Sequence, residues 1–156
     1  MKKFGFKWAL IFIGVSLLWI LIEKLAGFHD SHIDKHPVFS NLFAIPAIVI
    51  FVLALLDKRK NFYKGRMSWL DGFLSGLVIS VIVAILSPLV AWLMIDVISP
   101  DYFENASEYA VSTGRMTLME AKNYFNLANY LMQSALGAVL LGAVISAIVA
   151  LFVRKK

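Results

Sequence analysis

The sequence has 156 residues, of which 60% are hydrophobic and 16% charged, and its formal net charge is +5. A soluble domain is usually about 45–50% apolar and about 25% charged. The composition excludes a disordered chain and a collagen, and the absence of cysteine excludes a disulfide-stapled module. It predicts an integral membrane protein. At about 150 residues per domain, the length predicts a single domain, residues 1–156.

Four apolar segments are long enough to cross the roughly 30 Å hydrocarbon core of a bilayer. They cover residues 8–26, 39–56, 69–98 and 130–153. Because lipid offers no partners to backbone N–H and C=O groups, each segment must be helical. The predicted fold class is therefore all-α, an integral membrane bundle of four transmembrane helices. Pro46, in the second segment, predicts a kink there.

Residues 99–126 form the one sizeable segment outside these four spans, and they are predicted to be helical. Ser99 followed by Pro100 predicts a helix start. Apolar residues at helical spacing then predict a short amphipathic helix suited to the membrane surface. Thr117 and Glu120 have the spacing of a capping box that opens a second helix. The sequence leaves open whether that helix continues into the fourth span.

The basic residues predict the orientation. Eleven of the fifteen Lys and Arg residues lie near the two ends of the chain or in the loop between the second and third spans, and eight of the ten acidic residues lie on the opposite side. The positive-inside rule then places both termini in the cytoplasm. A cleaved signal peptide is the alternative for the first span, but Glu23 and Lys24 lie where its cleavage region should be.

The basic residues also bear on the partner. They flank apolar segments and do not form a basic face interleaved with stacking aromatics. We therefore expect the lipid bilayer as the partner, and no nucleic acid.

Small residues recur at every fourth position in the third and fourth spans. Small residues let helix backbones approach closely in lipid. The pattern predicts a helix-packing seam between these two spans, although a homodimer would use the same residues. The residues are Gly72, Gly76, Ser80 and Ala84, and Ala138, Gly142, Ser146 and Ala150.

All three histidines lie in the loop between the first and second spans. Imidazole and carboxylate groups are zinc ligands, so this loop holds candidate metal ligands. The flanking Gly27 and Pro37 predict a turn, and a solvated loop is the alternative. The candidates are His29, His32, His36 and Asp30.

Two acidic residues lie near the ends of spans, Glu23 in the first and Asp96 in the third. Ionisable groups within a membrane are candidates for a functional role. Both, however, are close enough to the interface for their carboxylates to reach water, and Lys24 is available to pair with Glu23. The sequence holds no phosphate-binding glycine loop, nucleophile elbow or zinc-protease motif. It therefore predicts no catalytic residue and no cofactor, and favours a protein that is not an enzyme.

Six strings spread over nearly the whole chain are similar to one known family. They are FAIPAI at 43–48, LLDKRK at 55–60, GFLSGL at 72–77, SPDYF at 99–103, EAKNYFN at 120–126 and the RKK tail at 154–156. Together they resemble the bacterial membrane family catalogued as domain of unknown function 4199. The resemblance implies a multi-pass protein of the bacterial inner (cytoplasmic) membrane, and it brings no activity, substrate or catalytic residue.

Three functions follow from these observations. The favoured one is a non-enzymatic scaffold or accessory subunit that docks a membrane-protein partner through residues 99–126, because aromatic-rich amphipathic surfaces suit partners. The second is a small dimeric transport or lipid-handling protein that depends on Glu23, Asp96 and the small residues. The third is a metal site at the histidine loop.

Overall fold

A computed structural model describes residues 2–155 of the chain, and the side chains of residues 3–155. Within residues 2–155 it has no β-strand, only one isolated bridge between Met67 and Lys155. The fold is all-α, as predicted. The helices are α1 (Lys2–Leu25), α2 (His36–Asn41), α3 (Ala44–Asn61), α4 (Trp69–Leu93), α5 (Tyr102–Ser112), α6 (Leu118–Tyr124) and α7 (Leu127–Val153).

Four stretches of the described chain are helical, long and apolar enough to cross a membrane, which confirms the prediction of four spans. Two of them combine a long helix with shorter turns: the second joins a 3₁₀ turn, α2 and α3, and the third joins α4 to a π turn. The spans cover Lys3–Leu25, Ile33–Asn61, Trp69–Ile98 and Leu127–Val153.

The second span is broken, but not at Pro46 itself. The break falls at Leu42 and Phe43. Their backbone amides donate to the carbonyls of Phe39 and Ser40, three residues earlier, whereas an α-helix bonds to the carbonyl four residues earlier. Proline has no N–H, and its ring clashes with the carbonyl four residues before it, which here belongs to Leu42. Pro46 therefore separates α2 from α3, and α2 carries His36 and Ser40 to the end of α1.

The contact between α4 and α7 is the most extensive helix–helix contact of the bundle. The facing pairs run antiparallel: Gly72–Ala150, Gly76–Ser146 and Ser80–Gly142. The Ser80 hydroxyl donates to the Gly76 carbonyl at 3.0 Å, and the Ser146 hydroxyl donates to the Gly142 carbonyl at 2.5 Å. Each serine is thus satisfied within its own helix and packs as a small group on a glycine of the other. A homodimer seam through the same residues stays a prediction.

The third span is irregular at two places, at Pro88 inside α4 and in the turn that follows α4. Pro88 cannot donate to the Ala84 carbonyl, and the Ser87 hydroxyl donates to it instead, at 3.1 Å. Beyond α4, a π turn over Met94–Ile98 ends with the Ser99 amide donating to the Met94 carbonyl at 2.7 Å. The π turn leaves Ser99 buried inside the bundle.

One end of the bundle, which we call the basic end, gathers the first turns of α1, the loop of residues 62–68 and the end of α7. Lys58 is buried there, with its ammonium 3.7 Å from the centroid of the Phe62 ring. That this end faces the cytoplasm stays a prediction. Three contacts hold the basic end together. Trp8 Nε1 donates to Asp57 at 2.8 Å, Arg59 donates to the Val153 carbonyl at 2.7 Å, and the backbone of Met67 forms a β-bridge with that of Lys155.

The capping box expected from the sequence at Thr117 and Glu120 is present and opens α6, and a second one, formed by Ser68 and Asp71, opens α4. The backbone N–H of Thr117 holds the pKa of the Glu120 carboxyl below its usual range. However, α6 does not continue into the fourth span. It ends at Tyr124, and the Asn126 side chain caps α7 by accepting from the Asn129 amide at 3.0 Å.

The amphipathic helix α5 covers the other end of the bundle, which we call the histidine end. Its apolar residues Tyr102, Ala106 and Ala110 are buried, and its acidic residues Glu104 and Glu108 are exposed. The Tyr102 ring contacts the rings of His29 and His36, which lie beneath it. The apolar face that the sequence offered as a docking surface is therefore already in contact with the rest of the chain.

We expect Gly142→Ala to destabilise the bundle and Gly137→Ala, in the same helix, to leave it intact. A Cβ on Gly142 would lie 2.6 Å from the Ser80 Cβ, whereas nothing beyond its own helix lies within 4 Å of a Cβ on Gly137. Overpacking should lower the free energy of unfolding by about 1–3 kcal/mol. The control should gain about 0.5–1 kcal/mol from helix propensity. Denaturant unfolding in detergent micelles measures both, and equal stabilities would contradict a close contact of α4 with α7.

Candidate functional site

A buried polar cluster lies at the histidine end, between α1, α2 and the cover formed by α5. Its centre is Glu23, with His29 and His36, and we call these three residues the carboxylate–histidine cluster. Glu23 is 3% exposed and His29 0%. Polar groups removed from water to this degree need partners within the protein. Their arrangement therefore depends on the contacts around them.

The end of α1 explains why His29 lies beside Glu23. Gly27 has a φ of 78°, in the left-handed region that favours glycine. The Phe28 amide donates to the Glu23 carbonyl at 2.9 Å, and the Gly27 amide donates to the Lys24 carbonyl at 3.1 Å. This pair of bonds is a Schellman motif. It reverses the chain after α1, and the reversed segment brings His29 beneath the last turn of the helix.

Three ligand-type atoms converge in the cluster. Glu23 Oε2 lies 3.4 Å from His29 Nε2 and 3.9 Å from His36 Nε2. All three atoms lie within 4.8 Å of one another. These separations exceed the 2.7–3.2 Å typical of N–H···O hydrogen bonds. The contact of His29 Nε2 with Glu23 is thus a long hydrogen bond, and the three atoms surround a common point.

Four further side chains form polar contacts with the three residues of the cluster. Trp19 Nε1 and the Ser40 hydroxyl donate to Glu23 Oε1, at 3.1 and 2.5 Å. Ser99 Oγ lies 2.5 Å from His29 Nδ1, and Tyr102 Oη lies 3.3 Å from His36 Nδ1. Burial raises the pKa of the Tyr102 phenol above its usual range, so its hydroxyl keeps its proton. Among the described residues, no buried side-chain N or O atom lacks a hydrogen-bond partner.

The other two candidate ligands of the histidine loop lie apart from the cluster. His32 is exposed, with its Nδ1 3.2 Å from Ser31 Oγ. Asp30 is also exposed and accepts from the Ser31 amide and from Lys24 Nζ. The Ser31 amide, with Lys24, holds the pKa of the Asp30 carboxyl below its usual range. The structure therefore brings together His29 and His36 from this loop, but not His32 or Asp30.

The expectation that Glu23 reaches the interface and pairs with Lys24 is wrong. Glu23 is buried, and Lys24 Nζ lies 3.1 Å from Asp30 instead. Successive residues of a helix are rotated by about 100°, so Lys24 lies on a different side of α1. Asp96, the other acidic candidate, is exposed in the π turn and does not join the cluster.

Ser99 also has a different role from the one predicted. It does not cap the following helix, which begins at Tyr102 after Asp101, and its hydroxyl contacts His29. The sequence also gave no indication that Ser40, Trp19 and Tyr102 contact the cluster. Their separations along the chain follow no motif, because they come from three different elements, α1, α2 and α5.

A cleft lies between α3 and α7, adjoining the cluster. Its volume is about 810 Å³, and α1 and α4 also contribute to its walls. Most of the lining is apolar, with a few hydroxyls such as Ser80 and Ser87. Ile48 of α3 and Leu141 of α7, which line it, are both exposed. The cleft is therefore open on the side of the bundle where a membrane would surround it.

A second cavity, of about 680 Å³, lies at the histidine end beneath α5 and α6. Arg115, Tyr102 and His36 are among its lining residues, and the described residues that line the two cavities include no Asp or Glu. The two cavities adjoin, since four residues line both: Ser40, Asn41, Tyr130 and Gln133. Together they form one space that is strongly apolar along the bundle and carries a larger share of polar groups at the histidine end.

Four helices able to span a membrane, with a buried carboxylate–histidine cluster at one end, define a small multi-pass membrane protein. The chain belongs to the family described as Protein of unknown function (DUF4199), which matches it over residues 7–155. This match confirms the resemblance seen in the sequence. No curated protein and no solved structure matches the chain.

We expect Ser99→Ala to destabilise the protein, because it removes the partner of the buried His29 Nδ1. Leaving such a group unsatisfied should lower the free energy of unfolding by about 1–3 kcal/mol. The matched control is Ser112→Ala, where an exposed hydroxyl donates only to the Tyr109 carbonyl. Denaturant unfolding of both variants in the same detergent gives the comparison. Equal losses would show that His29 does not depend on Ser99.

Proposed function

We propose that this chain is a lipid-handling protein that binds an acidic amphiphile, such as an ionised fatty acid or an anionic phospholipid, without catalysing a reaction. One observation carries the proposal: the apolar cleft adjoins a second, less apolar cavity whose lining includes Arg115 and, among the described residues, no carboxylate. An apolar body next to a cationic group suits a ligand with an apolar tail and an acidic head.

The cleft suits the tail. Its volume of about 810 Å³ is within the range of about 300–1,000 Å³ that is usual for small-molecule sites. Because exposed Ile48 and Leu141 line its open side, an acyl chain can enter from the membrane without crossing water. Gly137 and Ala44, on facing helices, leave room between α7 and α3.

The second cavity suits the head. The Arg115 guanidinium offers a planar fork of donors that matches a carboxylate or a phosphate. The Asn41 and Gln133 amides lie where the two cavities adjoin and add neutral donors. Since no described carboxylate lines either cavity, nothing in the lining repels an anion.

The distribution of basic residues supports an orientation for this function. Lys and Arg concentrate at the basic end, and the positive-inside rule places that end in the cytoplasm. We propose an inner-membrane protein whose histidine end faces away from the cytoplasm. The amphiphile would then bind from the outer leaflet.

A scaffold or accessory role is less well supported, because the apolar face of α5 is buried. Tyr102, Ala106 and Ala110 all contribute to that buried face. A partner could still contact the exposed acidic residues Glu104 and Glu108. The experiments below separate the two roles, since only lipid binding depends on an open cleft.

Filling the cleft should abolish binding. Gly137 lines the cleft with nothing beyond its own helix within 4 Å of its Cβ position, so Gly137→Phe can place a ring there without a clash. We expect it to lose bound oleate in phosphatidylcholine nanodiscs, measured by native mass spectrometry. The matched control is Gly14→Phe, because Gly14 is exposed on α1, equally unobstructed and not among the cleft residues. Oleate binding by Gly137→Phe equal to that of the control would contradict the proposal.

Removing the charge at the head site should reduce affinity for acidic ligands only. We expect Arg115→Gln to weaken oleate binding about tenfold, equivalent to about 1.4 kcal/mol, and to leave binding of neutral monoolein unchanged. Lys122→Gln is the control, since Lys122 is exposed, as Arg115 is, but lines neither cavity. Comparing oleate with dioleoyl phosphatidate shows whether the natural head is a carboxylate or a phosphate. An equal loss for monoolein would exclude recognition of the charge.

A further inference from the structure

We infer that Glu23, His29 and His36 form a binding site for a divalent transition-metal ion, and that zinc fits it best. The inference goes beyond lipid binding and does not rest on it, because it concerns different atoms. It stands on the geometry of the three side chains, on the groups that hold them, and on the burial of the carboxyl group.

The distances agree with the dimensions of a zinc site. Zinc binds imidazole nitrogen and carboxylate oxygen at about 2.0–2.2 Å, which in a tetrahedron places the ligand atoms about 3.3–3.6 Å apart. Glu23 Oε2 lies 3.4 Å from His29 Nε2 and 3.9 Å from His36 Nε2. The first distance matches, the second is longer by about 0.3–0.6 Å, and all three ligand atoms lie within 4.8 Å of one another. Two histidines and one glutamate are an established zinc ligand set.

Each of the three ligands is held by a second group on its far side. His29 Nδ1 contacts Ser99 Oγ, and His36 Nδ1 contacts Tyr102 Oη. His36 Nε2 also lies 3.1 Å from Ser40 Oγ. An ion bound at both Nε2 atoms would replace that contact, and both Nδ1–H groups would then donate to the Ser99 and Tyr102 hydroxyl oxygens. Such outer contacts fix the tautomer and orientation of metal-binding imidazoles. Trp19 Nε1 and the Ser40 hydroxyl fix the carboxyl group in the same way.

Charge balance also favours a cation at this place. Glu23 is 3% exposed, and its neighbour Lys24 contacts Asp30 instead. A buried ionised carboxylate is costly unless a positive charge compensates it. In this cluster the compensating charge is either a bound cation or a proton on one of the two histidines. The separations of 3.4 and 3.9 Å are longer than the about 2.7–2.9 Å of a charge-assisted hydrogen bond, and they leave room for a cation between the three atoms.

The site has one accessible side. His36 and Ser40 line the cavity beneath α5, whereas Glu23 and His29 do not. Where zinc has three protein ligands and its fourth position opens to a cavity, that position holds a water or an exogenous ligand. The open position would therefore face the same cavity as Arg115.

The test uses the whole chain, purified in mild detergent and stripped with a chelator, then titrated with Zn²⁺ or Co²⁺. We expect one ion per chain, with the visible absorption of tetrahedral Co²⁺. His29→Ala and His36→Ala should each abolish binding. The matched control is His32→Ala, which removes an exposed histidine from the same loop and should bind as the unchanged protein does. Tyr102→Phe should weaken binding about 10–100-fold while keeping one ion per chain.

Two measurements remain decisive even where a variant does not fold. X-ray absorption of the unchanged protein with zinc should show two imidazole nitrogens and carboxylate oxygen around the ion. Zinc should also raise the unfolding midpoint of the unchanged protein and of His32→Ala. No stoichiometric ion in the unchanged protein, or an equal loss in His32→Ala, would overturn the inference. Gly137→Phe should bind zinc normally, so failure of the lipid proposal is distinguishable from failure of this one.

Discussion

The close approach of α4 and α7 is the interaction on which the rest of the bundle depends. In lipid, apolar side chains gain little by leaving the solvent, so helices associate through tight packing and interhelical hydrogen bonds. Here Gly76 faces Ser146 and Gly142 faces Ser80, and both serines bond within their own helices. Larger side chains at these positions would separate the backbones. The contact fixes α7 against α4, and the space left between α7 and the first half of α3 becomes the cleft.

The polar features collect where the backbone departs from regular helix. The Schellman turn at Gly27 positions His29, the break before Pro46 positions His36 on α2, and the π turn positions Ser99. Irregular backbone at membrane depth is tolerated only where protein or a water-filled cavity surrounds it. The cover formed by α5 meets this requirement at the histidine end, and π turns are frequent at functional sites. The three irregularities therefore place polar groups from distant parts of the chain around one carboxyl group.

The spans and both capping boxes could be predicted from the sequence, because hydropathy and capping are properties of neighbouring residues. The carboxylate–histidine cluster and the side chains that hold it could not, because they come from α1, the turn after it, α2, the end of the π turn and α5. Local reasoning paired Glu23 with Lys24, its neighbour in sequence, although the two lie on different sides of α1. It also grouped His32 with the other histidines, although the turn at Gly27 leaves His32 exposed. The effect of Pro46 was predicted, but the break lies at Leu42, the residue whose carbonyl the proline ring displaces.

The β-bridge between Met67 and Lys155 and the bond from Arg59 to Val153 tie the end of α7 to the loop after α3. Beyond this anchor, the paired small residues hold α7 against α4 as far as Gly142. The other end of α7 is held as well, because the Tyr130 hydroxyl donates to Met94 Sδ at 3.0 Å and its ring lies 5.5 Å from that of Phe103. The contacts that fix the two ends of α7 therefore also set the width of the cleft between α7 and α3, including the place where the two cavities adjoin.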